Sequence, residues 1–290
     1  MAAFRRYALS SCTLGPPGVP LAVRANNYAG ANMATYLDRI LAWHRRRCSE
    51  DRRDLAQLVE AARACAPARG FANALRAAGG VAVIAELKRR SPSKGPLAPG
   101  LDPALVAKAY AAGGASCLSV LTDSEFFGGS PEDLQAARAA VELPVLRKDF
   151  TVSPKDLCDA RLMGADAVLL IAAALGQEEM AELLQLAGEL GLDALVEVHD
   201  EAEASRALAV GARLVGVNQR DLFTFEVDTG RALRVAEALP ANIVKVAESG
   251  VRSSDDVARL AAAGFHAVLV GEALVTSPDP AHAVASLLGR

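Results

Sequence analysis

From residue 81 onward, short runs of apolar and β-branched residues alternate with longer segments of mixed polarity. The short runs cover residues 81–87, 116–121, 144–146, 167–171, 194–198, 214–217, 243–246 and 267–270. Each is too short to bury a helix face and reads as a strand covered on both sides. The segments between them, 103–112, 131–140, 153–163, 178–190, 201–210, 230–239 and 254–263, carry apolar residues at helical period. Many end in glycine just before the next strand, at Gly113, Gly164, Gly191, Gly211 and Gly264, where a left-handed cap is expected. Strands alternating with helices imply parallel βαβ units, and eight of them favour a closed α/β architecture, the (β/α)8 TIM barrel. The alternative is a doubly wound open sheet, which usually carries G-x-G-x-x-G after its first strand; that motif is absent here.

Upstream, helical patterning begins near Met33 with Leu37, Ile40 and Leu41. It resumes at Leu55, Leu58, Val59 and Ala62, and a short helix is expected over 71–75. These extra N-terminal helices would cover one end or side of the barrel. The expected organisation is one domain over 33–290, with the barrel proper at about 81–290, preceded by an irregular extension over 1–32. That extension has three Arg, no Asp or Glu and a Gly/Pro-rich piece at 15–20. It lacks the continuous apolar core of a secretory signal, and an organelle import leader is the minor alternative to a cytoplasmic protein.

Composition narrows the function classes. Hydrophobic residues make up 52% of the 290 positions, enough for a large core, and the net charge of -3 with 4% aromatics speaks against nucleic acid and membrane surfaces as partners. The five cysteines are scattered and form no C-x-x-C pair, so neither a disulfide framework nor a zinc site is expected. His44, His266 and His282 look isolated, and His199, beside Asp200 ahead of a helix, reads as exposed or capping. The run Arg45-Arg46-Arg47 reads as a solvated helix face. Oligomeric state is left open between monomer and weak dimer.

In a (β/α)8 barrel the active site lies at the C-terminal ends of the strands. Those positions carry Glu86 and Lys88, Arg147 and Lys148, Glu197 and His199, Asn218 and Arg220, Glu248-Ser249-Gly250, and Gly271-Glu272. Residues i and i+2 of a strand share a face, so Glu86 and Lys88 would sit side by side where the first strand meets solvent. Lysines and glutamates converging on one rim are costly unless they pair or act on a ligand. Such a cluster suits proton transfer, and the plain structural alternative is a salt-bridge network closing the barrel mouth. Ser249-Gly250 and Gly271 occupy the two loops where such barrels often bind phosphate through backbone N–H groups. Ser253, Ser254 and Asp255 follow as cap-like residues.

The segments IAELKRRSPSKG, LSVLTDSEFFGGS, LPVLRKDF, GADAVLLIAAAL, LVEVHDEAE, VGVNQRDL, VAESGV and VLVGEAL run in order from about residue 71 to 274. In them the chain closely resembles the indole-3-glycerol phosphate synthase family. The resemblance implies a lyase of tryptophan biosynthesis acting on a small phosphorylated substrate. That substrate is 1-(2-carboxyphenylamino)-1-deoxyribulose 5-phosphate, closed to indole-3-glycerol phosphate with loss of carbon dioxide and water. It implies no cofactor and no metal. By resemblance, Lys148 is the general acid, Lys88 an anion partner that assists proton transfer, and Glu197 the group handling protons in the dehydration. Glu86 would tune the lysines and Asn218 orient the substrate. Ser91 and Ser93 belong to the first loop. Arg220, Glu248, Ser249, Gly250, Gly271 and Glu272 fall among the substrate and phosphate contacts, Glu272 through its backbone N–H. Phe127, Leu169 and Leu222 would wall the aromatic ring. Gln219, Ala273, Val275 and Gly128 depart from the common pattern without removing a proton-transfer group. Two competing readings are a phosphoribosylanthranilate isomerase-like barrel, which needs a Cys/Asp pair at strand ends, and a barrel that binds a phosphorylated metabolite without turnover.

Overall fold

A computed structural model of the chain describes residues 35–222 and 224–290. The expected start near Met33 and the extension over 1–32 lie outside them. Eight parallel strands close into a barrel: β1 (Ala82–Leu87), β2 (Cys117–Leu121), β3 (Val145–Lys148), β4 (Ala167–Ile171), β5 (Asp193–Val198), β6 (Leu214–Asn218), β7 (Val244–Glu248) and β8 (Ala267–Val270). Each strand pairs with its sequence neighbours, and β1 pairs with both β2 and β8 to complete the ring. The open doubly wound sheet is thereby excluded.

Strand alternation sorts the apolar residues into two cores. Ala82, Ile84, Cys117, Leu146, Ala167, Leu169, Leu195, Val244, Val246 and Leu269 fill the lumen. Val83, Ala85, Leu118, Val120, Val196, Val215 and Val268 face outward against the helices. The helix Phe71–Ala77 closes the lower end, with Phe71 and Leu75 fully buried on the lumen core. Its first turn is held by Asp193, which accepts from Ala72 N at 2.8 Å.

Most helix ends follow the expected chemistry. Ser153 and Ser253 are N-caps with capping boxes closed by Asp156 and Asp256. Gly113 departs from the expected left-handed cap, with φ -74. Gly114 takes that conformation instead, at φ 95. Gly113 is required for a different reason: a Cβ there would overlap Ala281 O and the helix Pro280–Leu287. The third strand extends two residues beyond the expected 144–146, which brings Arg147 and Lys148 inside it.

The helix Tyr36–Glu50 lies across the upper end, not on bare solvent. Arg45 pairs with Glu179 at 2.9 Å and Arg47 with Asp156 at 3.1 Å, so the basic run docks the helix on the barrel. Trp43 and Tyr36 pack edge-on against Phe126. The helix Leu55–Arg63 packs against Pro154–Met163. Among the described residues no helix is long and apolar enough to cross a membrane.

Candidate active site

The parity that sends Ile84, Leu146, Leu195, Val246 and Leu269 into the lumen carries on past them. Two residues further up, four of these strands place Glu86, Lys148, Glu197 and Glu248 over the same axis, and the chain leaving the last strand places Gly271 there. Lys88 and Asn218 obey the same alternation. A cavity of about 380 Å³ opens above them. All of the residues given a catalytic or binding role by the resemblance border it, including Ser91, Ser93, Phe127, Leu169, Arg220, Leu222, Ser249, Gly250 and Glu272, whereas the strand-end residues Arg147 and His199 do not.

Lys148 is the centre of the charge cluster. Its Nζ lies 3.0 Å from Glu197 Oε2 and 3.4 Å from Glu248 Oε2. Burial alone would lower the lysine, but Glu197, Glu248 and Glu86 together outweigh it and hold the ammonium charged. The carboxylates are driven apart. Burial would raise Glu197, yet Lys148, His199 and hydrogen bonds from Lys148 and Asn218 bring it to about 2. Burial raises Glu248 to about 8, Lys148 opposing and Glu197 and Glu86 adding to the rise. Among the described residues Glu248 Oε1 has no hydrogen-bond partner. It fits only because Gly216 has no side chain; a Cβ there would overlap Oε1.

Lys88 Nζ lies 2.5 Å from Glu86 Oε1, on the opposite side of the mouth. A Cβ at Gly271 would overlap that same Glu86 oxygen. Asn218 donates to Glu197 Oε1 at 3.2 Å and accepts from Ser249 Oγ at 2.9 Å and Arg220 N at 3.0 Å. Ser249 sits in the left-handed region at φ 67, which costs a non-glycine residue about 1 kcal/mol. Its carbonyl accepts from Gln219 Nε2 at 2.7 Å, which helps hold that conformation. Above the cavity Lys94 is paired with Glu272, joining the first loop to the start of the last.

One side of the cavity is apolar, formed by Leu121, Phe127, Phe150, Leu169, Ile171 and Leu222. Phe127 and Phe150 have ring centroids 6.2 Å apart. Phe150 was not singled out in the sequence although LPVLRKDF contains it. It lies past the end of β3, where alternation no longer says which way a side chain points.

His44 is not isolated. Its Nε2 lies 2.9 Å from Asp123 Oδ2 and 3.9 Å from Asp149 Oδ1, all three residues buried. Metal ligation would require these oxygens, and they are committed. Asp123 Oδ1 accepts from Phe126 N and Phe127 N. Asp149 accepts from Thr122 Oγ1 at 2.6 Å, Arg147 Nη2 at 2.8 Å and Phe150 N at 2.8 Å. The buried Arg147 guanidinium already supplies the local positive charge, so the trio fits a structural tie better than a cation site. The His44 ring also lies 5.3 Å from the Phe150 ring, so the N-terminal helix supports the apolar wall from behind.

His199 is likewise not exposed. Its Nδ1 lies 3.0 Å from Glu203 Oε2, and its side chain is 10% accessible. Among the described residues no cysteine borders the cavity, so the acid–base pair that the isomerase reading needs is not found there.

The family model described as indole-3-glycerol phosphate synthase matches residues 37–287. A protein of that name from Mycolicibacterium vanbaalenii is 56% identical over 229 residues, 79% of this chain and 84% of its own length. Another of the same name, from Mycolicibacterium gilvum, is 53% identical over 259 residues, 88% of this chain and 94% of its own. Among solved structures, a thiamine phosphate pyrophosphorylase from Pyrococcus furiosus superposes with a TM-score of 0.53 at 16% identity, covering 72% of this chain and 94% of that one. An N-acetylmannosamine-6-phosphate 2-epimerase from Clostridium perfringens gives 0.53 at 14% identity, covering 66% and 86%. At those identities the structural likeness speaks to the fold alone.

Proposed function

The chain belongs to the indole-3-glycerol phosphate synthase family, and we propose that its barrel mouth divides the decarboxylating ring closure among the residues as follows. The observation that carries this reading is Lys148, whose Nζ on the cavity floor lies 3.0 and 3.4 Å from the carboxyl oxygens of two buried glutamates. The phosphorylated substrate lies with its aromatic ring against Phe127, Phe150, Leu169 and Leu222. Its phosphate lies toward Arg220, Ser249, Gly250, Gly271 and the backbone of Glu272. Glycine at those turns lets N–H groups approach an anion closely.

As the ring carbon attacks the ribulose carbonyl, negative charge develops on the carbonyl oxygen. Lys148 stabilises that charge and gives it a proton, and an alkoxide is a strong enough base to take one even from a lysine held charged. Lys88, set by Glu86, faces the substrate carboxylate. Carbon dioxide then leaves as the carboxylate is drawn onto the partly apolar wall. The dehydration needs one group that takes a proton and one that gives it. Glu197 and Glu248 supply that pair, because their environments push their proton affinities in opposite directions. Asn218 holds Glu197 at the angle this requires.

A cytoplasmic location belongs to the same reading, with Cys117 and Cys158 buried as free thiols. The test is turnover measured by the fluorescence of the indole product. Lys148→Ala is expected to lower kcat by roughly a hundredfold to ten-thousandfold, the span of a lost general acid. A variant that keeps its rate within about threefold, well short of that span, would remove Lys148 from the acid role.

A further inference from the structure

Gln219 is one of the positions where the sequence departs from the pattern it resembles, and it does not border the cavity. It follows Asn218 of β6 with the opposite parity, that of Val215 and Val217. Its side chain therefore leaves the lumen and is buried behind the rim. Leu233 and Leu260, on the helices Arg231–Ala236 and Ser254–Ala262, border the same small space. The Gln219 N–H donates to Glu248 O at 2.9 Å, and its carbonyl accepts from Asp228 N at 2.9 Å. Its Nε2 donates to Ser249 O at 2.7 Å. Among the described residues Oε1 has no partner. A buried amide left half unpaired is costly, and an apolar side chain would fill the space without that cost. The bond to Ser249 O is what distinguishes glutamine here.

We propose that Gln219 is a positioning residue that locks the peptide plane between Ser249 and Gly250, so that the Gly250 N–H faces the substrate phosphate. This rests on the phosphate placement given above. The peptide unit is planar and trans, so its C=O and N–H point in opposite directions. Gln219 draws the carbonyl to the outer side of the rim. The N–H is thereby turned the other way, toward the cavity that Ser249 and Gly250 border. Among the described residues the Gly250 N–H donates to no backbone carbonyl, which leaves it for an anion. The Ser249 hydroxyl is held separately, Oγ donating to Asn218 Oδ1 at 2.9 Å. Carbonyl and hydroxyl of one residue are thus pinned by neighbours of opposite parity.

The local backbone does not set this orientation. Rotating the peptide plane changes ψ of Ser249 and φ of Gly250. Gly250 has φ 76, and glycine accepts the negative value reached by rotation about as readily. A rotated plane would present the Ser249 carbonyl oxygen to the phosphate, where it repels the anion. Glycine is nevertheless required at 250, since a Cβ there would lie 2.7 Å from Val227 Cγ1. The loop therefore needs a residue that leaves the plane free to turn and a partner that stops it turning. Gln219 is close enough to be that partner: a Cβ at Gly250 would come 3.5 Å from its Nε2. With its own N–H and carbonyl both tied, the Gln219 backbone cannot shift to bring a shorter side chain to Ser249 O.

The test uses two competitive probes on the full chain, inorganic phosphate for one end of the cavity and anthranilate for the other. Gln219→Met keeps the volume and removes the donor. Its KM and its phosphate inhibition constant are expected to rise roughly tenfold, the span of one hydrogen bond to a charged group, with kcat within about twofold of the parent. The anthranilate inhibition constant should stay where it is, whereas a general loosening of the rim would raise both constants. Gln219→Asn, one methylene shorter, should repeat the pattern of Gln219→Met. Without any variant, the Gly250 amide proton of the isotope-labelled parent chain should move downfield as inorganic phosphate is added. An unmoved Gly250 amide, an unchanged phosphate constant in Gln219→Met, or equal weakening of both probes overturns the lock. Arg220→Ala separates the two readings: a phosphate constant unchanged there defeats the phosphate placement itself, whatever Gln219→Met does.

Discussion

Gly216 is the position where a single methyl group tests the geometry of the site most directly. It lies on the lumen face of β6, and its missing side chain is the space that Glu248 Oε1 occupies. An added Cβ overlaps that oxygen, sits 3.1 Å from Glu248 Cδ and comes within 3.2 Å of Leu195 Cδ1. Leu195 is fully buried in the lumen core, so the backbone has little room to retreat. Glu248 must swing, and the swing breaks its 3.4 Å approach to Lys148. Overpacking of this kind costs about 1–3 kcal/mol. For a domain of this size that lowers Tm by roughly 2–4 °C per kcal/mol. Gly216→Ala is therefore expected to melt several degrees lower and to lose kcat more than KM, since the cost falls on Lys148 and not on the phosphate loops. The decisive assay is a double-mutant cycle with Glu248→Ala, read by denaturant unfolding and by product fluorescence. Without the Glu248 side chain the overlap disappears, and Gly216→Ala should become nearly neutral in that background. An unchanged penalty in both backgrounds would show that Gly216 answers to Leu195 or to the strand itself, and that the space for Glu248 is incidental.

Other outcomes follow from the same electrostatics. Glu248 binds its proton more tightly folded than unfolded, so between about pH 4.5 and about pH 8 the native state holds more protons than the unfolded chain. Its contribution is complete below the unfolded value and is lost as pH rises through about 8. Urea titrations should therefore show Glu248→Gln losing less stability than the parent chain over that window, and parallel curves would refute the assignment. His44→Ala leaves Asp123 Oδ2 without its buried partner, which should cost about 3–5 kcal/mol. It should also release the rear support of Phe150, seen as a raised KM for substrate, and a change under 1 kcal/mol would argue that the N-terminal helix docks by its other contacts.

Much of this site is legible in the sequence alone. Alternation is strictly local, so reading Glu86 and Lys88, or Glu197, at strand ends required only the period of the chain. The eight-unit count carried the barrel, and the barrel carried the convergence of the strand ends. The same local logic failed where a residue's meaning depended on a partner far away in sequence. His44 looked isolated because Asp123 and Asp149 lie about 80 and 105 residues downstream, on loops that only barrel closure brings beneath its helix. His199 read as exposed because the helix turn that delivers Glu203 to its ring is a matter of packing, not of pattern. Phe150 was missed because it follows the last strand residue.

The sequence by itself determined the architecture and the identity of the rim, because hydrophobic period and strand-end chemistry are properties of neighbouring residues. Tertiary structure alone decided how the charges share their protons. Glu197 and Glu248 are both glutamates at strand ends, indistinguishable in the chain. One is held ionised and the other kept protonated by their different hydrogen bonds and distances to Lys148 and by burial, quantities that exist only once the barrel has closed.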